Sequence, residues 1–239
     1  MTTNVVSAEN LVVEFPTYSS VHRSLKKAVL HATTGGKLAQ DSRHRVTVRA
    51  LDGVTFVMKA GDRVGLVGEN GSGKTTLLRV LAGAYEPVAG ELEIRGRVGS
   101  LLDISMGIDD EATGYENIVL RGVMMGLSPG QVRERMREIA EFTELGEYLE
   151  MPVRTYSAGM RVRLAFAVST SVSADILLMD EWLSVGDAGF NEKASKRLES
   201  LVEKSSALVI ASHSPQLIAR LCNRGIRLHR GKLQEEFVP

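Results

Sequence analysis

The sequence predicts an α/β fold: a core of parallel strands and helices, with an antiparallel β-subdomain and an inserted α-helical subdomain. Three observations predict it. A glycine-rich turn separates a short apolar run, Arg63–Val67, from a helical pattern at 76–82. Two continuous apolar runs, at 176–179 and 207–211, close on polar residues; unbroken runs mark strands buried on both faces, as in a parallel sheet. Between these signals, roughly 108–157 is helical in texture.

The glycine-rich turn comes first because it carries the most specific chemistry. Gly68-Glu69-Asn70-Gly71-Ser72-Gly73-Lys74-Thr75 fits the pattern G-x-x-x-x-G-K-S/T, a loop that cradles phosphates. The glycines let backbone N–H groups turn inward on phosphate oxygens, and the following helix adds its positive N-terminal end. Lys74 reaches the β- and γ-phosphates, and the Thr75 hydroxyl is a Mg²⁺ ligand. A dinucleotide-binding fingerprint would need a third glycine where Leu77 stands and has no use for Lys74-Thr75.

Ahead of that loop, residues 5–14 alternate and read as an edge strand that ends at Phe15-Pro16. Phe15 and Tyr18 are aromatics that either stack on an adenine face or pack in the core. Residues 16–51 interrupt the pattern with seven basic side chains against the single acid Asp41. Val21 to Ala32 fits a short amphipathic helix. The stretch either faces anionic headgroups, at about 1 kcal/mol per basic residue, or is a solvated insertion. Residues 46–67 read as two strands about a Lys59–Asp62 turn, and Glu91 to Leu102 as a hairpin.

In the helical stretch, Ser128-Pro129 is a helix start, with apolar spacing to Leu145 and a stop at Gly146. Small residues in Tyr156-Ser157-Ala158-Gly159-Met160 precede a helix from about Arg161 to Val172 and make a second anion site. A phosphate loop wraps one side of a nucleotide, so a second helix start from another copy of the chain would complete a two-chain sandwich. The strand Ile176–Met179 closes on Asp180-Glu181, where ligands bind in open α/β sheets. Asp180 can hold Mg²⁺, and Glu181 can orient an attacking water. The second buried strand closes on Ser212-His213, which places His213 at the same sheet edge for contact with the γ-phosphate.

Composition bounds the rest. The 239 residues suit one large or two small domains. The 29 basic and 29 acidic residues balance, which gives no charge argument for nucleic acid. The single Cys222 excludes an internal disulfide and fits a reducing compartment. No signal peptide is visible at Met1-Thr2-Thr3-Asn4, and no apolar run is long enough to span a bilayer, so a membrane role would act through a partner.

Gly68–Thr75, Tyr156–Met160, Ile176–Glu181, Asp187 and His213, in this order and spacing, resemble the nucleotide-binding subunit of ATP-binding cassette transporters over essentially the whole chain. The resemblance implies a P-loop nucleotide-hydrolase fold with a RecA-like core, spanning 1–239 as a single nucleotide-binding domain. Within it 16–51 is the basic insertion and 108–157 the helical signature subdomain. It also implies ATP with Mg²⁺. Gly68–Thr76 would be the Walker A loop, Ser157-Ala158-Gly159-Met160 the signature, Asp180 the Walker B aspartate and Glu181 the catalytic glutamate. Asp187 would be the D-loop aspartate, His213 the switch histidine and Phe15 the adenine-stacking ring.

Thr113-Gly114-Tyr115-Glu116-Asn117, Thr155–Met160, Val185–Phe190 and the basic insertion are similar to the subgroup that exports lipid-linked polysaccharides such as O-antigen, capsule, teichoic acid and galactan. That likeness implies a homodimer bound through an integral membrane permease at the cytoplasmic face of the membrane, with no nucleic-acid partner. Three departures stand out. Tyr156, Ala158 and Met160 replace usual signature residues, while Ser157 and Gly159 remain. No glutamine lies between Gln40 and Gln131, which leaves Asp103 as the nearest replacement and a possible Mg²⁺ ligand. No C-terminal carbohydrate-binding domain is expected. A soluble cassette ATPase acting on ribosomes or DNA would show two cassettes or a long coiled coil, and neither is visible. A regulatory binder without hydrolysis would not need Asp180, Glu181 and His213 together.

Overall fold

In the computed structural model, residues 4–16, 38–40, 46–182 and 188–239 are described. They form two units, Met1–Gly96 with Leu178–Glu181 and Ala207–Pro239, and Arg97–Leu177 with Trp182–Ser206. Tyr18, Asp187 and most of the basic stretch, including the helix expected at 21–32, lie outside the described residues.

The first unit contains β1 (Asn4–Pro16), β2 (Leu38–Gln40), β3 (Val46–Lys59), β4 (Arg63–Val67), α1 (Lys74–Leu81) and β5 (Ala89–Ile94). Strands β2, β3, β1 and β5 form one sheet in that order. Strand β1 pairs antiparallel with both β3 and β5. It is therefore internal to its sheet, not the edge strand that its alternation suggested; alternation reports which faces are buried and not how many neighbours a strand has. Its inward residues Val6, Ala8, Leu11 and Val13 pack in one core with Leu51, Val54, Phe56 and Met58 of β3.

The second unit opens with β6 (Val98–Leu101), α2 (Gly114–Met124) and α3 (Pro129–Thr143). Two 3₁₀ turns (Gly146–Glu150, Val153–Thr155), α4 (Ala158–Ser169) and the start of β7 (Ile176–Asp180) follow. Helix α5 (Ala188–Lys204) completes it. Strand β6 neighbours β7, and the pairing is continued by Asp175 N donating to Arg97 O at 2.8 Å. The hairpin expected at 91–102 is thus absent: β5 joins β1, β6 joins β7, and the two belong to different sheets. Gly96 marks the point of divergence with φ 120°.

Helix starts follow capping chemistry. Thr113 with Glu116 and Ser128 with Gln131 form reciprocal capping boxes on α2 and α3. Ser157 caps α4, so that helix begins at Ala158 rather than Arg161. Glu144, at φ 58°, ends α3 in the left-handed conformation just before Gly146. Phe142, Phe166 and Phe190 meet with ring centroids 5.6–6.2 Å apart and anchor the core of this unit.

The first unit resumes with the end of β7, β8 (Ala207–Ala211), α6 (Pro215–Leu221), β9 (Arg224–His229) and β10 (Lys232–Phe237). Here the strand order is β10-β9-β4-β8-β7. Strand β4 runs parallel to β8 and β9, and β10 closes the edge as an antiparallel hairpin with β9. All five residues of β8 are buried, as an unbroken apolar run requires. Helix α6 packs tightly on β4: a Cβ at Gly65 would lie 2.7 Å from Ile218 Cγ2.

Candidate active site

Strand β4 delivers the chain into the glycine loop, and three of its glycines sit in left-handed or related conformations: Gly68 at φ 146°, Gly71 at 72° and Gly73 at 111°. At Gly68 and Gly73 space as well as conformation demands glycine. A Cβ at Gly68 would stand 2.3 Å from Leu228 O, and one at Gly73 2.9 Å from Ala50 O. The loop is braced from outside by Gly231 N, which donates to Ser72 O at 2.8 Å. Helix α1 then starts at Lys74 with no side-chain cap and no acid in its first turn, which leaves its first N–H groups directed at the loop's concave side.

Lys74 is buried, and its Nζ donates to Gly68 O at 2.7 Å and Glu69 O at 3.1 Å. The ammonium therefore closes the loop on itself. The Thr75 hydroxyl donates to Asp180 Oδ2 at 2.8 Å, joining the first turn of α1 to the end of β7. A cavity of about 200 Å³ is lined by Asn70, Gly71, Gly73, Lys74, Thr75, Thr76, Asp180, Glu181 and His213. Residues predicted from separated motifs thus share one cavity within the first unit.

Glu181 has an unusual backbone, φ 70°, which costs a non-glycine residue about 1–2 kcal/mol. Three hydrogen bonds hold it. Its N–H donates to Ala211 O at 2.8 Å. Its Oε2 accepts from the Ser212 hydroxyl at 2.7 Å, and its Oε1 from the His213 N–H at 2.8 Å. Hydrogen bonds to a charged acceptor, about 1.5–3 kcal/mol each at most, work against the backbone strain, although only the Ser212 side of this set is buried. The carboxylate is thereby held beside the glycine loop, in the cavity that it shares with Lys74 and Thr75.

The donor set for a metal can be tested on these oxygens. Thr75 and Asp180 offer one hydroxyl and one carboxylate 2.8 Å apart. Among the described residues no three His, Cys, Asp or Glu side chains are grouped to hold a metal by themselves. Two hard oxygens beside an anion loop fit Mg²⁺, which takes few protein ligands and completes its shell with phosphate and water.

The remaining predicted residues stand elsewhere. Gly68 and Glu69 line a second cleft with Ser212 and His213, and Ser72 is buried behind the loop. Phe15 lies at the end of β1 with its ring edge-to-face with Tyr85, centroids 5.1 Å apart. In the second unit, Ser157 and Gly159 form the start of α4. Ser157 Oγ accepts from Met160 N at 3.3 Å, and its O–H remains a donor. Asp103 follows β6 in the same unit and is exposed.

Sequence reasoning missed the contacts that three residues make. Ser212 was passed over beside the more conspicuous His213; its place at the end of a buried strand was the available signal. Tyr85 had no motif to mark it. Tyr156 donates to Tyr148 O at 2.6 Å and packs over Gly114, where a Cβ would lie 2.4 Å from the phenol oxygen. This contact joins Thr113–Asn117 to Thr155–Met160 within the second unit.

Known proteins resemble this chain in sequence and in fold. A family model described as ABC transporter matches residues 51–184. The O-antigen export system ATP-binding protein RfbE of Yersinia enterocolitica is 43% identical over 230 residues, 96% of each chain. The teichoic acids export ATP-binding protein TagH of Bacillus cereus is 40% identical over 186 residues, which are 78% of this chain but 34% of that longer protein. A dimeric ATP-binding cassette, MJ0796, solved in a post-hydrolysis state with ADP and Pi, superposes with a TM-score of 0.68 over 98% of both chains at 22% identity, a likeness of fold. The chain belongs to the ABC transporter family, on the ATP-binding side of that family.

Proposed function

We propose that this chain is the ATP-hydrolysing subunit of a transporter that exports a lipid-linked polysaccharide, acting as a homodimer bound to an integral membrane permease at the cytoplasmic face. The observation that carries the ATPase reading is the single cavity where Lys74, Thr75, Asp180, Glu181 and His213 converge. The cargo class is supported by relatives named for O-antigen and teichoic acid export. Among the described residues no helix is long and apolar enough to cross a membrane, which is why translocation is assigned to a partner chain.

In this reading, the loop amides and Lys74 neutralise phosphate charge. Ser157 and Gly159 of one copy clamp the γ-phosphate held by the other. Phe15, paired with Tyr85, offers rings to the adenine. Thr75 and Asp180 would hold Mg²⁺, which supplies neutralisation of charge on the β- and γ-phosphate oxygens. Glu181, oriented by Ser212 and the His213 amide, positions and polarises the attacking water, and the His213 ring faces the γ-phosphate. Closure of the two copies on ATP and their separation after hydrolysis deliver motion to the permease.

The test is Glu181→Gln. ATP binding should persist, turnover should fall by about 100-fold or more, and ATP should trap a dimer detectable by size exclusion. In cells the variant should abolish surface polysaccharide. Turnover at the parental rate would remove Glu181 from its role.

A further inference from the structure

Arg121 lies on the inner face of α2, 5% exposed. No carboxylate pairs with it among the described residues, and burial alone pulls its pKa down. Its Nε is buried without a hydrogen-bond partner among the described residues. A buried cation in such surroundings is costly, whereas a leucine or methionine would fill the same space without that cost. The guanidinium therefore earns no stability by being there, and its effect must lie in what its two other nitrogens hold.

Nη1 donates to Met106 O at 2.5 Å. Met106 N in turn donates to Asp103 O at 3.1 Å, closing the turn that carries Asp103. Nη2 donates to Ser169 Oγ at 2.9 Å, and Ser169 is the last residue of α4, the helix that starts behind Ser157. A rigid planar fork thus spans two segments more than 60 residues apart in sequence. The opposite end of α4 is tied to the same loop region: Asp110 is ion-paired with Arg161, and its carbonyl accepts from Arg154 N at 2.8 Å. Asn117, one turn before Arg121, is fully buried and clips Asp109 through both its N–H and its carbonyl.

We propose that Arg121 is a positioning residue for ATP hydrolysis: it couples the Asp103–Gly107 turn to helix α4, so that the turn sets where Ser157 and Gly159 stand. The inference rests on the reading of Ser157 and Gly159 as contacts to the nucleotide of the opposite copy. It predicts a defect in closing the dimer and not in loading ATP.

The experiment uses the full chain with Glu181→Gln, in which ATP-driven dimerisation is followed by analytical ultracentrifugation and binding by a fluorescent ATP analogue. Adding Arg121→Met, which cuts both arms of the fork, should leave analogue affinity within about twofold yet raise the protein concentration needed for dimerisation about tenfold or more. Ser169→Ala, which cuts one arm, should give a smaller shift of the same kind, and Arg121→Lys, without the fork, should not restore the parent. With Glu181 present, Arg121→Met should lower kcat about tenfold and leave KM within about twofold. Parental dimerisation by Arg121→Met would overturn the proposal. So would a matched fall in ATP affinity, kcat and thermal midpoint, which would make Arg121 merely structural. If Glu181→Gln alone fails to dimerise with ATP, the functional reading itself is wrong, a result distinct from either of these.

Discussion

The Ser212 hydroxyl donates to Glu181 Oε2 at 2.7 Å, from the end of β8 to the end of β7. The same Ser212 Oγ accepts from Ser214 N at 3.1 Å, so its proton is directed at the carboxylate by a backbone contact behind it. Ser212→Ala should leave ATP affinity unchanged and lower kcat by about tenfold, the scale of one hydrogen bond to a charged group. Ser212→Thr, which keeps the donor, should stay near the parent. Steady-state ATPase assays beside equilibrium binding decide it; equal losses in both variants would assign the effect to packing.

Lys74→Ala should weaken nucleotide binding and turnover together. The ammonium is the loop's only side-chain cation, and it sits 7% exposed within reach of the loop carbonyls. Loss of a sheltered cation facing phosphate should weaken ATP binding by ~100-fold, measured by calorimetry. Circular dichroism should show the fold intact. Undiminished affinity would remove Lys74 from the phosphate site.

Gly114→Ala tests the contact between α2 and the loop before α4. The added methyl would stand 2.4 Å from Tyr156 Oη, 2.7 Å from Leu149 Cδ2 and 3.0 Å from Leu149 Cα. Such overpacking should destabilise by about 2 kcal/mol in denaturant unfolding. Tyr156→Phe loses the bond to Tyr148 O, about 1 kcal/mol. The double variant should lose less than the sum, because one of the three clashes disappears. Strict additivity would mean that the two residues do not press on each other.

Cys222 is half-buried against β4, with its sulfur 3.3 Å from where a Cβ at Gly65 would stand. Burial pushes its thiol up to about 12. At pH 8 the thiolate fraction should then be about a thousandfold below that of an ordinary thiol. Iodoacetamide should modify the native protein only at the rate of unfolding and the denatured protein at once. Rapid native labelling would show an accessible thiolate.

The local chemistry of the site was legible in the sequence because it is local. Strand, glycine loop and helix at 63–82 follow one another, and the loop's backbone needs are written in its own glycines. The runs ending at Glu181 and Ser212 were legible as buried strands because continuity of apolar residues reports two covered faces. Pairing was not legible. The alternation of β1 gave its inward face but not its second neighbour β5, and the Gly96 break between β5 and β6 reads as a hairpin turn when the two sheets are unknown. The bonds of Ser212 and Arg121 were invisible for the same reason, since 31 and 48 residues separate the partners.

Thr113, Ser128, Ser157 and Ser214 close the starts of α2, α3, α4 and α6 with their own side-chain oxygens. Helix α1 has no such group. In the proposed function the anion that the glycine loop holds supplies that cap, which would make the nucleotide a structural part of the protein as well. Stability then becomes a function of nucleotide level: a ligand at a hundred times its Kd adds about 2.7 kcal/mol. A subunit of this kind would be most vulnerable to unfolding and proteolysis when cellular ATP falls, and its lifetime would follow the energy supply that it is built to spend.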